Sequence, residues 1–70
     1  MIAPRTAADY RREAAQHDRD AIAHDDRAQL ATTPADRTAA QLDADKSRRR
    51  AFNARRAAET LAFRTIGGAA

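Results

Sequence analysis

His17 and His24 are the only imidazoles in the chain, and each has a carboxylate four residues upstream, Glu13 and Asp20. On a helix that spacing stacks the two groups on one face, where a carboxylate and an imidazole could share a metal ion. The two histidines themselves stand seven residues apart, about 10.5 Å along a helix axis, too far to ligate one ion together. A second helix would have to supply the missing ligands, and the residues expected opposite, Ser47 and Ala40, do not complete a set. Each histidine is therefore expected to fill a structural position, with a ring nitrogen satisfied by Ser47 or by a neighbouring carboxylate, and no metal is expected. No grouping of serine, histidine and carboxylate suggests nucleophilic catalysis, there is no cysteine, and there is no Gly-rich phosphate loop. No enzymatic activity, cofactor or small-molecule substrate is expected.

The other chemistry-bearing stretch is Lys46-Ser-Arg-Arg-Arg-Ala-Phe-Asn-Ala-Arg-Arg, which holds six cations and no acid between residues 46 and 56. Basic side chains in such a run can neutralise phosphates and release counterions, and Phe52 could stack on a base. Consecutive arginines on a helix point around it, however, and do not form one stripe. Residues 1 to 31 carry six acids against five arginines, which can absorb part of the run, and the formal net charge is only +3. Lys46, Arg49, Arg55 and Arg56 are the cations expected to remain unpaired. They define the alternative reading, a nucleic-acid-binding accessory protein.

The elements that must position these residues follow from a repeat of seven. Ala7, Ala14, Ala21 and Ala28 open successive heptads, and Tyr10, His17, His24 and Ala31 follow at the 3-4 spacing of a coiled-coil seam. Thr6 with Asp9 three residues later forms an N-cap signature, so a first helix is expected over 7–31. Thr32-Thr33-Pro34 ends it. Thr33 caps a second helix, Pro34 takes the tolerated first position and Asp36 the third, and nothing breaks the helix before Gly67-Gly68. Helix two is expected over 34–66, with Ala40, Ala44, Ser47, Ala51, Ala54, Ala58, Leu61 and Thr65 as its seam.

Folding at a turn over 32–33 places Ala7 opposite Ala58, Ala14 opposite Ala51, Ala21 opposite Ala44, Tyr10 opposite Ala54, His17 opposite Ser47 and His24 opposite Ala40. Small residues on both sides permit a close helix approach, near the lower end of the usual 8 to 10 Å. The flanking charges then bring Asp18 beside Arg48, Asp20 beside Arg50 and Arg27 beside Asp43, with Glu13 within reach of Arg50 and Arg11 mismatched against Arg55. The fold class expected is all-α: one domain over 1–70, an Ala-rich antiparallel two-helix coiled coil with flexible ends, assembling into a helical bundle.

Seventy residues with twenty alanines make a thin core. Below about 70 to 80 residues a single core is marginal without disulfides, metal or oligomerisation. No apolar run approaches the ~20 residues that span a bilayer, and no signal-peptide pattern opens the chain, so a cytoplasmic location without membrane association is expected. The excess of arginine over lysine, with abundant alanine and aspartate, fits a GC-rich coding genome and a phage or mobile element. Apolar residues left over from the seam gather on one broad side of the hairpin: Ala8, Ala15 and Ile22 on helix one, and Phe52, Ala62 and Ile66 on helix two. Leu42 and Phe63 point outward elsewhere as ordinary scatter. That side is the expected protein interface of a small adaptor, inhibitor or assembly component, docking onto a protein partner or onto itself as a homodimer. The Met1-Ile2 leader or another chain is expected to cover the overhanging end of helix two near Leu61, Phe63 and Ile66.

Overall fold

Two helices account for nearly the whole structure, a computed structural model that describes residues 4–66, without the side chains of Thr65 and Ile66. The Met1-Ile2 cover, the Gly67-Gly68 stop and the roles given to Thr65 and Ile66 lie outside the described residues. Helix α1 spans Ala7–Leu30 and helix α2 spans Pro34–Ile66. They pack against each other as an antiparallel, all-α hairpin.

The caps form as the residue types dictate. The Thr6 hydroxyl accepts from the Asp9 backbone N–H at 3.2 Å and the Asp9 carboxylate accepts from the Thr6 N–H at 2.9 Å, closing a capping box. These bonds to the charged form hold the Asp9 carboxyl below its usual range, the backbone bond from Thr6 foremost. At the second helix the Thr33 hydroxyl accepts from the Asp36 N–H at 3.1 Å, and the Thr33 carbonyl accepts from Arg37. Helix α1 stops one residue short of its expected end. Ala31 is extended at φ −66°, ψ 134°, with its N–H turned back to the Ala28 carbonyl.

The seam is made of small residues, as the heptads require. Ala14, Ala21 and Ala28 are buried on α1, and Ala40, Ala44, Ser47, Ala51, Ala54 and Ala58 on α2. Tyr10, His17, His24 and Ala31 are half-buried at the edges of the seam. His17 shares a depression with Tyr10, Glu13, Arg50, Asn53 and Ala54.

The cross-helix ion pairs correct the expected charge pairing in part. Arg27 does donate to Asp43, at 2.7 Å, and this contact holds the Asp43 carboxyl below its usual range. Asp18, however, pairs with Arg55 and not with Arg48, while Arg48 reaches Asp25 across the seam and Asp45 on its own helix. Glu13 is engaged by Arg5 in place of Arg50, and Asp20 accepts from Gln16 in place of Arg50. Arg5, which precedes α1, folds back to stack over Tyr10 at 4.2 Å while it bonds Glu13. The arginine hydrogen bond depresses the Glu13 carboxyl, and Glu13 in turn raises the guanidinium.

Candidate protein-docking site

The hairpin measures 55 × 26 × 14 Å. A thickness of 14 Å is about one helix with its side chains, so the molecule is a single layer with two broad sides. Helical periodicity assigns residues to these sides, and the cross-helix pairs identify them. Asp18 with Arg55 and Asp25 with Arg48 mark one, and Arg27 with Asp43 marks the other.

The first side carries the expected apolar set. Ile22 stands on α1 at 61% exposure and Phe52 on α2 at 57%. The two line one shallow concavity of about 560 Å³, floored by Ala21 and bordered by Asp18, Arg48 and Arg55. Ala8 and Ala15 are exposed and Ala62 is half-buried. Phe63 is 73% exposed; eleven residues beyond Phe52, it sits three turns on and within about 20° of the same direction. What looked like scatter in the sequence thus prolongs this side, and the i,i+11 spacing of the two phenylalanines was the signal that could have found it. Leu30 and Leu42 are also exposed, and their helical phase directs them to the other side.

The basic run is dispersed by the same geometry. Lys46 and Arg50 fall on the second side, Arg49 on the outer back of α2, and Arg55 on the first. Arg55 is held by Asp18, which removes it from the expected free cations; Arg50, which makes no ion pair among the described residues, takes its place. Arg56 lies over the Phe52 ring at 5.9 Å, so the aromatic proposed for base stacking already has a cation on it.

The histidine sites also take definite form. His17 lies between Glu13 (Nε2 to Oε1, 3.5 Å) and Asp20 (Nδ1 to Oδ2, 3.9 Å), so its nitrogens face carboxylates of its own helix. Among the described residues no group of three His, Asp or Glu side chains is arranged to hold a metal ion, and no helix is long and apolar enough to cross a membrane. Compared with protein-family models, with curated proteins and with solved structures, the chain matches none.

Proposed function

We propose that this chain is a small non-enzymatic protein-interaction module, an adaptor, inhibitor or assembly component that docks through the side carrying Ile22 and Phe52. One observation carries the reading, an inverted distribution of apolar size. Every buried residue of the described chain is an alanine or Ser47, whereas Ile22, Leu30, Leu42, Phe52 and Phe63 stand in water. Burying an alanine methyl contributes about 0.8 kcal/mol, against an ordering cost of about 1.5 kcal/mol per residue. Domains ordinarily bury two layers against each other, and a single layer held by alanines has the shape and energetics of a half waiting for its complement. The cell's cytoplasm as its location and a phage or mobile-element origin belong to the same proposal and rest on composition alone.

The test is Phe52→Asp. A charge placed at the centre of a desolvated interface is strongly unfavourable, whereas at 57% exposure an isolated hairpin tolerates it. The variant is expected to lose helicity by circular dichroism and partner capture from source lysate, and raising the protein concentration is expected to restore part of the helicity if the partner is another copy. Unchanged helicity, mass and capture would refute the reading. A salt-sensitive shift of nonspecific DNA or RNA that depends on Lys46, Arg49 and Arg56 would then favour the nucleic-acid alternative.

A further inference from the structure

Resting on the docking reading, we infer that the occupant of this side is a second copy of the chain, related by a two-fold axis parallel to the helices, so that α1 of each copy lies over α2 of the other. Two observations select it. The first is charge. On this side α1 carries Asp18 and Asp25 with Arg11, and α2 carries Arg48 and Arg55 with Asp45 and Glu59; the cross-helix partners Asp18, Arg55, Asp25 and Arg48 are each about half exposed after pairing within the chain. A two-fold axis across the helices would lay α1 on α1 and α2 on α2, setting the central Asp18 and Asp25 stretch on itself and the Arg48 and Arg55 stretch on itself. An axis along the helices instead sets Asp18 and Asp25 of one copy against Arg48 and Arg55 of the other, closing alternating four-charge networks.

The second is the spacing of large and small side chains. The concavity shared by Ile22, Asp18, Phe52 and Arg55 shows that Phe52 lies level with the stretch of α1 between Ala15 and Ile22. An axis along the helices preserves height, so Phe52 of one copy enters the step between Ala15 and Ile22 of the other. Phe63, about 16.5 Å farther along, then arrives level with Ala8. Both aromatics meet a gap left by an exposed alanine. The available surface suffices. A side 55 by 26 Å comfortably contains the ~800 Å² per partner of a standard-sized interface, and the product is a four-helix bundle in which every neighbouring pair of helices is antiparallel.

The chain has no cysteine, so single cysteines report contacts cleanly. Ala15→Cys on α1 and Glu59→Cys on α2, both exposed, are mixed in equal amounts and treated with a short bis-maleimide. The expected result is a dimeric wild-type mass by light scattering and a mixed Ala15-site to Glu59-site product several-fold above either self-linked product. Predominance of self-linked Ala15→Cys or Glu59→Cys overturns the axis. A wild type that stays monomeric at high micromolar concentration overturns the second copy as occupant. In that event Phe52-dependent capture of a different protein would still uphold the docking reading, so the two failures are distinguishable.

Discussion

Replacing Ala51 with leucine tests whether the alanine seam is a close approach or a loose one. Ala51 is 0% exposed, as are Ala40 and Ala44, and Ala14 on the other helix is 2% exposed. Leucine adds three carbons. If the seam had room for them, the added burial would stabilise by up to about 2.4 kcal/mol at about 0.8 kcal/mol per carbon. If the seam is closed, the helices must separate or the side chain must leave its rotamer, at a cost of about 1 to 3 kcal/mol. The two cases differ in sign, so the experiment decides. Urea unfolding followed by circular dichroism at one fixed protein concentration should show a lower midpoint for Ala51→Leu and for Ala14→Leu. Thermal midpoints should fall by about 4 to 8 °C per kcal/mol for a domain of this size. The control is Ala23→Leu at an exposed position of α1, expected within about 0.5 kcal/mol of wild type. If Ala14→Leu and Ala51→Leu both leave stability unchanged or raise it, the helices are not held by a close alanine contact.

Acid should loosen the hairpin from its carboxylates. Asp9, Glu13 and Asp43 are each held below their ordinary range by Thr6, Arg5 and Arg27 respectively. A depressed carboxyl contributes stability that is present above its unfolded pKa and is lost as pH falls through its folded one. The thermal midpoint is therefore expected to hold from neutrality to about pH 5 and to drop below pH ~4.5, and a flat profile down to pH 2 would show that these contacts contribute nothing. A further expectation concerns length: α2 has 33 residues and α1 has 24, so α2 is longer than its partner by nine residues, about 13 Å. In the assembled state amide exchange over residues 60–66 should be protected by another chain or by the leader, and rapid exchange throughout would contradict that.

Much of the fold was legible because several local signals agreed. The Thr6 and Thr33 caps form at the residues that carry the signature, and six small residues of the α2 seam, from Ala40 to Ala58, are buried at the spacing they show in the sequence. Alanine aided this reading, since a helix whose apolar stripe is all small leaves little choice of inner face. The docking side was legible only in part. Ile22 and Phe52 were recognisable by phase and do share a concavity. Phe63 was set aside because a heptad frame assigns it an outward position, whereas a straight helix of 3.6 residues per turn brings residues eleven apart back into line.

The cross-helix charges were less legible, for a reason built into the repeat. In an antiparallel pair each flanking position has two candidates on the facing helix, one heptad apart, and a residue such as Asp18 finds an arginine at both, Arg48 and Arg55. Sign alone does not separate them. The structure separates them: Asp18 pairs with Arg55 and Arg48 with Asp25, while Arg27 keeps Asp43. This pairing converts Arg55 from a free cation into a paired one and leaves Arg50 without an ion pair among the described residues. The same stretch holds Phe52 beside Ile22, in the concavity that Asp18, Arg48 and Arg55 border. The charge pattern and the apolar steps that a facing copy would have to match thus lie together on one surface.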